Sequence, residues 1–190
     1  MLESLLTEIR QCTVCEPHLP LGANPVIRAN PAAKILIIGQ APGTKVHNTS
    51  IPWNDASGER LRQWLGLDRE AFYCEENVAI MPMGLCYPGK GRSGDLPPRK
   101  ECAPLWHAKV LEQLPNRQLT LLIGQYAQHY YLSDKPSTLT ETVQQWQRWA
   151  PSVLPLPHPS PRNTLWLRNH PWFEQDIVPY LRQRVKQVLT

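Results

Sequence analysis

The chain has 190 residues, 42% hydrophobic and 19% charged, which excludes a disordered, collagen-like or disulfide-scaffold protein and suits one globular domain with its own core. A formal net charge of +4 and a pI of about 8.9 admit an anionic partner such as nucleic acid without requiring one. No stretch approaches the ~20 apolar residues of a membrane span, and Met1–Cys12 lacks the basic start and continuous apolar run of a secretory signal, so a cytoplasmic, nucleoid-associated chain with no membrane contact is expected. Five cysteines in that reducing setting are ligands, catalysts or core residues before they are disulfides.

Leu2 to Arg10 has helical periodicity and ends at the Cys12–Cys15 pair. Glu16 to Ala33, rich in Pro and small residues, is expected to be an extended arm. Lys34 to Gln40 is a continuous apolar run ending in Gly39-Gln40, the pattern of a buried parallel strand. A loop over Ala41 to Asn54 follows, then an amphipathic helix over Glu59 to Leu65 with Asp55 or Ser57 as its N-cap. Asn77 to Met81 is a second strand, and Pro82 to Pro98 a Gly/Pro-rich loop too long to be a mere connector.

Lys100 to Leu114 is a predicted helix. Leu119 to Gly124 repeats the strand-then-Gly pattern, with a helix over Gln125 to Leu132 and another over Thr138 to Trp149. Val153 to Pro157 is a fourth strand whose prolines suit an edge or a strand end. Helical segments run from Asn163 to Thr190. Strands alternating with helices predict a single-domain three-layer α/β/α fold over residues 1–190, with a four-stranded, mainly parallel central sheet. Residues 1–33 form the N-terminal helix and arm that carry the cysteine pair.

Ligands of such sheets bind beyond the C-terminal strand ends, so Gln40–Asn54, Pro82–Pro98 and His158–Asn163 are expected to converge on the site. In Gly39-Gln-Ala-Pro-Gly43, Gly43 permits close backbone approach and Pro42 stiffens the turn. In His158-Pro-Ser-Pro-Arg-Asn163, two prolines around a serine make a rigid wedge with a histidine at its base. Such a wedge can press into a duplex and help extrude a nucleotide. The plain alternatives are a tight strand-to-helix turn and a solvated loop histidine.

Together the two loops resemble the first and last motifs of the uracil-DNA glycosylase superfamily, the last most like its single-strand-selective branch. Between them, Ile51-Pro-Trp-Asn-Asp-Ala-Ser-Gly58 resembles a segment of the family 4 and family 5 enzymes. Cys12, Cys15, Cys86 and Cys102 resemble the four-cysteine pattern that holds a [4Fe–4S] cluster there; four-thiolate zinc or no metal are the alternatives, and Cys74 is left as a core residue. The likeness spans roughly residues 12 to 185.

The resemblance implies a monomeric base excision repair enzyme that flips uracil, or another deaminated base, out of DNA and hydrolyses its N-glycosidic bond. His158 then donates to the uracil O2, and the Gly39, Gln40, Ala41, Pro42 and Gly43 segment touches the base. Trp53 stacks on the flipped ring, Asn77 reads its edge, and Pro159, Ser160, Pro161, Arg162 and Asn163 contact DNA. Lys45, Lys90, Arg92 and Arg99 could join Arg162 on phosphates.

One departure matters. Where superfamily members carry a water-activating acid, Asp or Glu, this chain has Ala41 and Gln40. His47, Asn48 and Asp55 are the polar residues left in that loop, with Asn48 and Asp55 joining His158 as catalytic candidates. The other reading is therefore a catalytically weak or inactive member that binds damaged or single-stranded DNA.

Overall fold

The computed structural model describes residues 1–190. Four parallel strands form the central sheet: β1 (Ile35–Ile38), β2 (Val78–Ile80), β5 (Leu119–Ile123) and β6 (Val153–Leu156), in the order β2-β1-β5-β6. β1 pairs with β2 from Ile35↔Val78 and with β5 from Ile35↔Leu119, while β5 pairs with β6 from Thr120↔Val153. The prolines of Val153–Pro157 do mark an edge strand, where Pro155 lies opposite Leu122 and its missing N–H costs least.

Period-two alternation sorts the strand side chains onto two faces. Ile35 and Ile37 join one apolar layer of 21 buried residues, and Leu36 and Ile38 join another of 20. The near equality of the layers shows that both faces are covered, which gives the three-layer α/β/α fold. On the first face pack α3 (Ala56–Leu65) and α9 (Val178–Leu189). On the second lie α1 (Leu2–Arg10), α5 (Ala108–Glu112) and α6 (Gln125–Tyr131). No helix is long and apolar enough to cross a membrane.

The N-terminal arm covers the open edge of β2. Arg28 and Ile80 exchange backbone hydrogen bonds of 3.0 and 2.7 Å, and Val26 N–H donates to the Leu85 carbonyl. An edge strand is thereby paired rather than left as a template for association.

Local structure departs from the sequence expectations in several places. The loop after β1 contains a short helix, α2 (Thr44–Thr49), closed by Ser50 in the left-handed region at φ 57°. Another, α4 (Arg69–Phe72), follows α3. The Gly/Pro-rich segment from residue 82 is buried through Gly89 and then forms a hairpin, β3 (Lys90–Gly91) and β4 (Gly94–Asp95). The helix expected from Lys100 opens with a π-type stretch over Ala103–His107, where Pro104 is tolerated because first-turn N–H groups have no intrahelical partner, and becomes α5 at Ala108.

The helix expected over Thr138–Trp149 is α7 (Leu139–Gln144), capped by Thr138, followed by a separate 3₁₀ turn. The C-terminal helices are α8 (Thr164–Asn169) and α9. Cys74 is half-buried rather than a core residue, because it sits in the turn that leads into β2.

Candidate active site

The cavity of about 500 Å³ opens at the C-terminal ends of the strands, within the range of small-ligand sites. Gly39, Gln40, Ala41, Pro42 and Gly43 all line it, together with Trp53, Asp55, His158, Ser160, Arg162 and Asn163. The carbonyls of Gly39 and Gln40 are tied to the chain beyond β2 by the N–H groups of Met83 and Gly84. The N–H groups of Gln40 and Ala41 find no acceptor in the protein, and both residues line the cavity.

His158 follows β6 directly. Its Nδ1 accepts from the Ser160 N–H at 3.1 Å, and its own carbonyl accepts from Asn163 Nδ2 at 2.8 Å. A neutral imidazole with Nδ1 as acceptor carries its proton on Nε2, so this loop delivers a free Nε2–H donor to the cavity. Burial holds the His158 pKa down to about 4, with Asp55 pulling it upward, so the ring is neutral at pH 7. Arg60, on α3, braces the same loop through the Ser160 carbonyl and Thr164 Oγ1.

Trp53 faces His158 with ring centroids 5.6 Å apart and 33° between planes. Its backbone is left-handed at φ 60°, uncommon for a bulky residue, and its neighbours hold it there. The buried Arg62 donates to the Trp53 carbonyl at 3.1 Å, and Tyr73 Oη donates to the Pro52 carbonyl at 2.7 Å. A Cβ on Gly58 would stand 1.7 Å from the Trp53 oxygen, so only glycine fits in this turn of α3. On the ring side, a Cβ on Gly39 would meet Trp53 Cζ2 at 2.8 Å. Asp55, the residue that caps α3, receives the Gly58 N–H on Oδ1 at 2.9 Å.

Not every sequence candidate reaches this cavity. Asn48 is exposed on α2 and does not line it. Asn77 precedes β2 and so lies at the opposite, N-terminal edge of the sheet, where Nδ2 makes a long 3.5 Å contact to the Ala71 carbonyl. At the cavity end of β2 stands Pro82, which offers no side-chain amide. Its carbonyl is held at 2.9 Å by Nε2 of the buried His107, whose Nδ1 lies 2.5 Å from Tyr131 Oη. Within the wedge, Pro159 is buried and anchors the loop, while Pro161 and Arg162 are exposed.

Lys90 borders the cavity, whereas Lys45 and Arg92 are exposed away from its wall. Arg99 instead pairs with Glu101 at 2.7 Å beside Cys15, and that pairing holds the Glu101 carboxyl down to about 2. Sequence reasoning missed Asp95, Ser93 and Gly94, which the hairpin brings to the cavity mouth. The one available signal was Gly91-Arg-Ser-Gly94, a turn sequence in a segment too long to be a connector.

Cys12, Cys15, Cys86 and Cys102 line a second cavity, with Arg99 and Trp106 in its wall. Burial first, then the neighbouring Glu101 and Cys102, push the Cys15 thiol up to about 11. Burial raises Cys86 to about 11 as well, and Cys102, Cys12 and Cys15 add to the shift. No three His, Cys, Asp or Glu side chains meet closely enough to hold a single ion.

The family profile described as the uracil DNA glycosylase superfamily matches residues 27–182. The type-4 uracil-DNA glycosylase of Thermotoga maritima is 24% identical over 162 residues, covering 84% of this chain and 82% of that protein. With most of its length matched by that profile and the corresponding loops gathered at one cavity, this chain belongs to the uracil-DNA glycosylase superfamily.

Proposed function

We propose that the chain is a monofunctional DNA glycosylase that flips uracil, or a related deaminated base, out of DNA and hydrolyses its N-glycosidic bond. The observation that carries this reading is the neutral His158, with Nδ1 tied to the Ser160 N–H and Nε2–H left for the cavity. The base departs as an anion, and a fixed donor at its growing charge needs no reorganisation when the bond breaks. Losing one such donor costs roughly 100- to 1000-fold in rate. The free N–H groups of Gln40 and Ala41 are suited to help, and Trp53 to offer a stacking face worth about 1–3 kcal/mol. Asp55, which acts on His158 through space, is suited to stabilise positive charge growing on the sugar. Pro161 and Arg162 form the exposed part of the wedge that would meet the DNA backbone, with the half-buried Ser160 beside them.

The departures bear on substrate range. Without an amide side chain at Pro82 there is no evident reader of the pyrimidine edge, so hypoxanthine and xanthine stand beside uracil as candidate bases. The absent acid at Gln40 and Ala41 favours, as a second reading, a member that binds damaged DNA without cutting it.

Cys12, Cys15, Cys86 and Cys102 would hold a [4Fe–4S] cluster. The donor chemistry suits the group: four thiols, the usual ligand set of such a cluster, line one cavity, and four-thiolate zinc is the alternative. Thiols raised to about 11 are protonated at neutral pH, so a bound cationic group is what would turn them into ligands. Such a cluster would act structurally, clamping the N-terminal arm to the 86–102 segment.

The test is single-turnover base release from oligonucleotides carrying uracil, hypoxanthine or xanthine, single-stranded and in duplex, beside His158→Ala. Release by the wild type that collapses in the variant supports the glycosylase reading. Tight binding with no abasic product on any of the three overturns it in favour of the binding-only reading.

A further inference from the structure

The positions that carry an acid elsewhere in the superfamily are Gln40 and Ala41 here, yet the cavity is not without carboxylates. Two line it, Asp55 and Asp95. Asp55 is committed, since its Oδ1 caps α3 through the Gly58 N–H. Asp95 is not: neither of its oxygens accepts a hydrogen bond from the protein. It closes the β3–β4 hairpin opposite Lys90, and its Oδ2 lies 3.6 Å from where a Cβ on Gly43 would stand. A carboxylate thus reaches the same loop from outside, beside Gly43 rather than at residues 40 and 41 themselves.

The hairpin is not a free flap. Arg162 lies flat on Gly94, where a Cβ would meet its Nη1 at 2.7 Å, and donates to the Ser93 carbonyl. Gly94 has φ +117°, a conformation that only glycine adopts readily. One guanidinium therefore joins the hairpin carrying Asp95 to the loop carrying His158. Asp95 is exposed at the rim, yet the cleft desolvates it enough to raise its pKa, against the opposing pull of Arg162 and Lys90. Tyr87 is a further ionisable neighbour, its pKa raised first by burial and then by the Asp95 charge, and His47 of α2 faces Tyr87 with ring centroids 6.3 Å apart.

We propose that Asp95 is the carboxylate that accepts the proton of the attacking water, filling the role for which residues 40 and 41 offer no acid; this rests on the glycosylase reading above. The C1′–N bond breaks and its electron pair leaves with the base, whose negative charge is met by His158 Nε2–H and the N–H groups of Gln40 and Ala41. The water oxygen bonds to C1′, and its proton passes to Asp95. Asp95 then returns its proton to solvent and solvent protonates the released base, so water and a nucleotide yield a free base and an abasic site.

Single-turnover base release at saturating enzyme, across pH, with Asp95→Asn, Asp95→Glu and Asp55→Asn beside the wild type, tests this. Asn is isosteric and the site is at the rim, so the fold is expected to hold, with circular dichroism as the check. Asp95→Asn is expected to slow release about 100-fold or more, the low end for a positioned general base. Its DNA affinity should stay equal or tighten, since a negative charge beside Lys90 and Arg162 is gone. The part of the acid-side loss of rate that Asp95 sets should vanish, leaving the fall near pH 4 that protonation of His158 brings, and Asp95→Glu should regain part of the rate. Release by Asp95→Asn within about threefold of wild type, or a loss confined to Asp55→Asn, overturns the assignment while leaving the glycosylase reading intact. No release by the wild type on uracil, hypoxanthine or xanthine overturns both.

Discussion

The His107 link between core and site makes a quantitative claim about acid stability. His107 is 1% exposed, bonded on both ring nitrogens, and burial holds its pKa at about 4 against an ordinary 6.5. As pH falls through 6.5 the unfolded chain takes up a proton that the folded chain refuses until about 4. Stability is therefore full above about pH 7 and drains away as the solution is acidified. At one proton the slope is about 1.4 kcal/mol per pH unit, and integrating from about pH 7 to about pH 5 gives a loss of about 2 kcal/mol.

His158 is depressed to about 4 for the same reason and adds up to as much again, less to the extent that cavity water screens it. The carboxyl of Glu101, held near 2 by Arg99, loses its contribution only below its ordinary 4.5, outside this window. Urea unfolding followed by tryptophan fluorescence at the two pH values should show the wild type losing up to about 4 kcal/mol. His107→Gln, though less stable at neutral pH, should lose about 2 kcal/mol less across the window. Equal losses for wild type and variant would refute the account of His107 as a neutral buried strut beneath Pro82.

Trp53→Ala should weaken binding of substrate DNA by about 1–3 kcal/mol, roughly 5- to 150-fold by fluorescence anisotropy. Gly58→Ala forces a Cβ into the Trp53 carbonyl and should cost on the order of 1–3 kcal/mol in urea unfolding while also slowing base release, since Trp53 must move. Arg162→Ala should lower the slope of log affinity against log salt by about one phosphate contact and leave base preference unchanged. Cys86→Ser should abolish bound iron and acid-labile sulfide if the four thiols hold a cluster; unchanged iron content would remove Cys86 from the ligand set.

What the sequence disclosed and what it hid follow from range. β1 and β5 were legible because a buried parallel strand is a continuous apolar run, and Gly39 and Gly124 punctuate both. α3 was legible because Asp55 is a local cap; the helix merely begins earlier than its apolar period suggests. The loops at Gly39 and His158 were placed at one cavity by topology alone. That same topology rule tells against Asn77, since a residue before a parallel strand lies at the wrong edge of the sheet. Asn48 was misplaced because α2 is only six residues long and its Gly- and Pro-rich approach resembles loop. Trp53 at φ 60° could not have been foreseen, because Arg62 holds its carbonyl across 9 positions of sequence and Tyr73 holds the preceding Pro52 carbonyl across 21.

Asp95 was hidden for a further reason, which also explains the length of the 82–102 segment. Within that segment Cys86 and Cys102 line one cavity with Cys12 and Cys15, while the stretch between them presents Lys90 and Asp95 to the other. A connector from β2 to α5 alone would need few residues. This one is buried as far as Gly89, turns outward as the hairpin, and returns through Arg99 and Glu101 beside Cys15. Arg162 then ties the hairpin tip to the loop that positions His158. The thiol cavity thus supplies the footing of the hairpin and the wedge loop its far anchor. A carboxylate 3.6 Å from the Gly43 Cβ position is held from both sides without any acid in the first motif.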